Sequence, residues 1–173
     1  EELGITVVPM RIRLGSQMLV DGPQLRTPDF HREALESRQA PAVVVPAAQE
    51  FADVYHRLAR ETNDIVSIVV SGSLNGTVRA AMQGRAGLLG RINISVVDSQ
   101  LTSRALGILV TEAATAACAG ASSAEIVRLT RGAMSRIYLA FYAENLDHLT
   151  RNRGAIRFLL FARPAVVPIT AEV

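Results

Sequence analysis

The chain contains no lysine and no tryptophan, and all 18 of its basic residues are arginine. It has a single cysteine, Cys118, which excludes a disulfide framework and a cysteine-based zinc site. One unpaired thiol fits a reducing, cytoplasmic compartment. Long hydrophobic runs are missing too. The most apolar stretch, "ALGILVTEAATAACAGA", is broken by Glu112 and is too short to span a bilayer, so it reads as a buried helix with no stable membrane insertion. The opening residues "EELGITVVPM" lack the basic start and apolar segment of a secretory signal. The net charge is only +2, and the arginines are scattered apart from a loose cluster between Arg151 and Arg163. Nucleic-acid binding requires a basic stripe on one face, so no nucleic-acid partner is expected.

What is present is the composition of a globular protein, 49% hydrophobic and 20% charged over 173 residues. That length can bury a core without disulfides or metals. "ITVVPMRIRL" alternates in its second half and reads as a strand, with Pro9 arguing for an edge position or a bend. "LGSQMLVDGPQL" reads as a turn-rich excursion. Thr27, Pro28 and Asp29 form a helix start, and "APAVVVPAAQ" is held extended by Pro41 and Pro46. Phe51, Val54, Tyr55 and Leu58 recur at helical spacing. "DIVSIVV" and "INISVVD" are short apolar strands of the kind buried on both faces. Helices are expected from Gly76 to Leu88 and from Thr102 to Ala119, with Gly120 stopping the second. Ser122 and Glu125 make a capping box for a further helix, with Ile126, Leu129 and Met134 toward the core. "IYLAFYA" is a fourth strand-like run, "NLDHLTR" a short helix, and the end of the chain apolar and strand-like. Strands alternating with helices predict an α/β domain with a mainly parallel sheet.

In such sheets ligands gather at the carboxyl ends of the strands. There "SGSLNGT", residues 71–77, joins a strand to a helix. Gly72 and Gly76 permit positive φ and close backbone approach, while Ser71, Ser73, Asn75 and Thr77 supply short polar groups. A helix N-terminus adds free N–H groups and partial positive charge. Two readings stand side by side: an anion site, or side chains that simply cap a helix. The loop matches neither a P-loop nor G-x-G-x-x-G. A phosphate usually recruits Lys or Arg as well, so neutral donors alone suit a singly charged carboxylate better.

Other chemistry has little support. A serine hydrolase needs Ser, His and Asp within mutual reach, and no G-x-S-x-G elbow occurs. His31 and His56 lie on amphipathic helices and read as surface residues, and His148 as packing. Asp98 ends a strand with no second carboxylate at ligand spacing, so it reads as a turn former capping the Thr102 helix rather than a metal ligand. Tyr138, Phe141 and Tyr142 read as core. No catalytic residue, metal or cofactor is expected.

The residues resemble those of the DegV family of bacterial fatty-acid-binding proteins. "ELGITVVPMRIRLG" looks like that family's opening strand pair, and "PAVVVPAAQEF" aligns with its "PKTSQPSPGEF" segment. "SGSLNGTVRAA" aligns with "SSGLSGTYQSA", and "ISVVDSQLTSRALGILVTEAA" with "VVDSKSVSMGLGLLVLEAA". "FYAENLDHLTRNRGAI" and "LLFARPAVVPI" echo later segments in the same order. The resemblance implies a non-catalytic carrier that buries one long-chain fatty acid and presents its carboxylate to a partner fatty acid kinase. The head group would sit at Ser71, Asn75 and the amides of Gly76 and Thr77. The family's threonine and serine of "TSQP" fall at Val43 and Val44, which cannot donate. Loss of one hydrogen bond to a charged group costs about 1.5–3 kcal/mol, so weaker or altered lipid binding is expected.

The expected architecture is one α/β lipid-binding domain over residues 1–173, resembling the family's N-terminal domain without its first strand and C-terminal domain. An exposed half-tunnel would then favour a homo-oligomer or a heteromer. Two other functions stay open: a dihydroxyacetone-kinase-like α/β domain binding a small phosphorylated or carbonyl ligand, and a protein-binding remnant without ligand.

Overall fold

The computed structural model describes residues 3–22, 25, 27–36 and 41–138. All lie in the unit Glu1–Leu139, and the unit Ala140–Val173 falls outside them. The expectations for "NLDHLTR", for His148, for Phe141 and Tyr142, for the arginine cluster and for the C-terminal strands therefore also fall outside.

A small antiparallel sheet has the order β2-β1-β3, with β1 at Arg11–Leu14, β2 at Gln17–Val20 and β3 at Ala42–Val44. Ile12 faces Leu19 on one side and Val43 on the other. The β1–β2 turn is two residues long, and Gly15 takes φ +59, which a side chain would resist. This hairpin corrects the turn-rich reading of residues 14–25. Gln17, Met18 and Val20 are exposed, so β2 has no buried alternation to betray it. Of the two expectations for Pro9, an edge position or a bend, the edge position is corrected. β1 is the central strand, but its pairing starts at Arg11, beyond the proline.

The second sheet is a parallel pair, β4 (Asp64–Val69) and β5 (Asn93–Asp98), registered Ile65 to Ile94 and Val69 to Asp98. The crossover carries α3 (Thr77–Gly84) and a 3-10 turn, Ala86–Leu88. Parallel neighbours need such a crossover, which is why this stretch is helical. Helix α1 (Pro28–Glu36) follows the hairpin and α2 (Ala48–Leu58) precedes β4, while α4 (Ser103–Cys118) and α5 (Ser123–Met134) follow β5. Among the described residues the fold is thus α/β, with its parallel part confined to two strands.

Strand side chains alternate between faces, so β4 feeds two cores. Ile65 and Val69 join Ile94, Phe51 and Tyr55 of α2, and Ala80 and Ala81 of α3. Ile68 instead packs against Leu101, Ala105, Leu109 and Ala133, from α4, α5 and the turn before them. Buried Tyr55 donates its hydroxyl to Ser67 Oγ at 2.9 Å, and burial pushes its pKa up. On α5, Ile126, Thr130 and Ala133 form the buried strip, whereas Leu129 is 46% exposed, contrary to expectation. Tyr138, expected in a strand core, is exposed as well.

Helix ends follow their local chemistry. Thr27 Oγ1 accepts from the Phe30 N–H at 3.3 Å. Ser122 Oγ accepts from the Glu125 N–H, and Glu125 Oε2 accepts from the Ser122 N–H at 2.9 Å, the expected reciprocal box. Those bonds to Ser122 hold the Glu125 carboxyl below its usual range. Gly120 ends α4 with φ +87.

Two contacts fix α2. A Cβ at Gly84 would lie 2.6 Å from Phe51 Cβ and 2.7 Å from the Ala48 carbonyl oxygen, so only glycine lets α3 approach this closely. Arg11 of β1 forks onto both carboxylate oxygens of Glu50, and Glu50 Oε2 also accepts from the Ala47 N–H at 2.9 Å. The Arg11 and Ala47 donors hold the Glu50 carboxyl below its usual range.

Gly84→Ala should destabilise the fold by roughly 2 kcal/mol, the scale of an overpacked core contact, as read from the urea midpoint. The Glu50 carboxyl is lowered by folding, so its contribution is complete above the unfolded pKa of about 4.3 and disappears as pH falls through the folded value. Urea midpoints of the wild type and Glu50→Gln should therefore differ at neutral pH and converge in strong acid.

Candidate functional site

β4 and β5 end side by side, and the segments leaving them are sewn together. The Ser99 N–H donates to the Val69 carbonyl at 3.1 Å, and the Ser71 N–H donates to the Leu101 carbonyl at 2.9 Å. Asp98 Oδ1 accepts from Gly72 N–H at 3.1 Å and from Gln100 N–H at 2.9 Å. The second of these is a local Asx turn, and the first reaches across 26 positions of sequence. Asp98 therefore clamps two loops. It does not cap the Thr102 helix, as expected from sequence, because Thr102 is the N-cap of α4 and no side chain caps it.

The 98–103 turn is tight. Ser99 is fully buried, and its hydroxyl both donates to the Leu101 carbonyl and accepts from the Leu101 N–H. Gln100 and Ser103 adopt φ +54 and +55, unusual for residues with side chains. Close approach is the use made of Gly72. A Cβ there would sit 2.8 Å from Asp98 Oδ2 and 3.1 Å from a Val78 methyl. Neither Gly72 nor Gly76 takes positive φ, contrary to the sequence expectation, and Gly76 has open space around its Cα.

Four of the predicted site residues share this loop. Asn75 Oδ1 accepts from the Thr77 N–H at 3.0 Å and from the Thr77 hydroxyl at 2.6 Å. One carbonyl oxygen thus orders the first turn of α3, and the Nδ2 donor has no partner among the described residues. Ser71 is 1% exposed, its Oγ accepting from the Ser73 N–H at 3.3 Å. Thr77 is also buried. Asn75 and Gly76 reach the surface, and no side chain caps the helix at Gly76. The Thr77 N–H, expected from sequence to meet a head group, is thus taken by the Asn75 oxygen, while the Asn75 nitrogen is left over. Arg79 is exposed one turn on and makes no ion pair among the described residues.

Val43 stands apart from these four. It lies in β3 of the other sheet, 52% exposed, and no hydrogen bond ties it to the loop among the described residues. His56 is exposed. Among the described residues no cluster of His, Cys, Asp and Glu could hold a metal ion, and no helix is long and apolar enough to cross a membrane.

Comparison with known proteins gives consistent matches. The family model described as "Uncharacterised protein, DegV family" matches residues 1–156. The DegV domain-containing protein YejH of Lactococcus lactis is 35% identical over 150 residues, covering 87% of this chain and 53% of the relative. The chain thus spans about half the length of that curated relative. Among solved structures, a DegV family protein from Thermus thermophilus, described as fatty acid binding, superposes with a TM-score of 0.80 at 26% identity, covering 92% of this chain and 57% of that one. The Streptococcus pneumoniae Fatty Acid Kinase (Fak) B3 protein, loaded with linoleic acid, shares the fold at a TM-score of 0.64 and 19% identity, with 74% and 45% covered. With the family match running over most of its length, and the fold shared with solved DegV structures, the chain belongs to the DegV family.

Proposed function

We propose that the chain is the fatty-acid-binding half of a non-catalytic carrier, its lipid carboxylate held at the Ser71–Thr77 loop. The observation that carries this reading is the Asn75–Thr77 arrangement. Asn75 spends its oxygen on ordering the helix start and leaves its amide donor beside the exposed Gly76, at the positive end of α3. Neutral donors of this kind suit one negative charge. Ser71 and Thr77, both buried, act from beneath by fixing the loop. Val43, on β3 of the antiparallel sheet, stands where the family pattern has a donor.

The fatty-acid-binding Thermus thermophilus relative supports the ligand class, and the name of the Fatty Acid Kinase (Fak) B3 protein supports a fatty acid kinase as partner; such delivery would take place in the cytoplasm. An acyl tail would run along the apolar side chains flanking β4. The carrier acts by binding and orientation, so it needs neither cofactor nor metal. Exposed apolar residues such as Val7, Met18 and Val43 leave room for a covering domain or a second copy.

Native mass spectrometry of the protein incubated with oleate or palmitate should show one bound fatty acid. Asn75→Asp keeps an acceptor for Thr77 but removes the amide donor and adds a like charge, so it should stay folded and lose the lipid. Lipid retained in that variant would refute the head-group position, and no lipid in the wild type would refute the carrier reading. Val43→Thr restores a donor and should tighten fatty acid binding by about tenfold, the scale of one hydrogen bond to a charged group, in a fluorescence titration.

A further inference from the structure

A second concave site lies at the opposite end of the parallel strands. A cavity of about 540 Å³ is lined by His56, Ala59 and Arg60 at the end of α2, by Asn63, and by Leu88, Arg91 and Ile92 before β5. Its floor is apolar, with Leu88 buried and Ala59 and Ile92 half-buried. Its rim is polar and exposed: two guanidinium groups, an imidazole and a carboxamide, without a carboxylate. The backbone holds this rim in place. The Arg91 N–H donates to the Leu88 carbonyl at 3.0 Å, and the Asn93 N–H donates to the Asn63 carbonyl at 2.8 Å.

Neither Arg60 nor Arg91 has an ion pair or a side-chain hydrogen bond among the described residues. Unpaired arginines are common on this surface, but these two converge on one concavity. His56 and Arg60 could be explained by the negative end of α2, which favours cations. Arg91 belongs to a different segment and has no such explanation. Arginine forks match the oxygens of a phosphate monoester, and guanidinium and imidazole planes stack on flat rings. The volume lies within the range of small-ligand sites.

We propose that this cavity binds a phosphate monoester carried on a body of mononucleotide size, with Arg60 and Arg91 on the phosphate and the apolar floor beneath the body. This site is separate from the lipid loop and does not rest on the fatty-acid reading. The same chemistry could come from a soluble phosphomonoester or from a lipid head group. Two probes separate these sources: calorimetric titration with AMP, and co-sedimentation with phosphatidylcholine vesicles with or without phosphatidic acid.

Saturable AMP binding supports the site with a free ligand, and binding only to phosphatidic acid vesicles supports it with a head group. In either case the double variant Arg60→Gln/Arg91→Gln should weaken binding at least about tenfold, as expected when charge-assisted bonds are lost. Arg131→Gln, on exposed α5 surface outside the cavity, should bind as wild type. Thermal melts of both variants should match wild type. Failure of both probes to bind, binding unchanged in the double variant, or an equal loss in Arg131→Gln would overturn the proposal.

Discussion

Asp98 Oδ1 accepts two backbone N–H bonds, one from its own turn and one from the loop that leaves the neighbouring strand. Through that atom the ends of β4 and β5 become one surface. Gly72 must lack a side chain for the carboxylate to reach its amide, and the pairings of Ser71 with Leu101 and of Ser99 with Val69 repeat the stitch on either side. A charge-assisted bond of this kind is stronger than a neutral one, and here it is spent on loop geometry rather than on a ligand. The first turn of α3 inherits its position from this clamp, and so do Asn75 and Gly76.

Packing supplies the platform beneath it. Two faces of a single strand, β4, send alternate side chains into two separate cores, one against α2 and α3 and one against α4 and α5. The strand cannot slip by one residue without exchanging both sets. The α2–α3 contact at Gly84 and the Arg11–Glu50 fork tie the antiparallel sheet's neighbourhood to the same layer of helices. A rigid base with a polar, backbone-lined rim is the arrangement in which a weakly charged head group can be held without lysine or arginine. In the proposed carrier the nature of the donor would matter more than net charge: the half-buried Asn75 nitrogen would contribute, and buried Ser71 would support.

Much of this was legible in the sequence where the signal was local. The Ser122–Glu125 box, the Thr27 cap, the Gly120 stop and the two apolar strands each depend on residues a few positions apart, and each formed where its chemistry predicts. The misses share a different cause. β2 is exposed on most of its length, so periodicity carries no trace of it. Pro9 looked like an edge signal because pairing begins two residues beyond it. Leu129 sits beside, rather than on, the buried strip of α5, and a sequence pattern cannot tell which flank is covered. Of the candidate site, the loop could be read directly, because strand, small polar residues and helix adjoin. The Asp98–Gly72 bond could not, since its partners are 26 residues apart and meet only through the parallel register.

The central claim, that a fatty acid carboxylate sits on this loop, is tested most directly by NMR with carboxyl-labelled oleate and isotope-labelled protein. The account predicts a bound carboxyl resonance distinct from free oleate, contacts from it to the Asn75 side-chain amide, and amide shifts centred on Gly76 and Thr77. A bound resonance with its contacts and shifts elsewhere in the protein, or no bound resonance under saturating oleate, would contradict it.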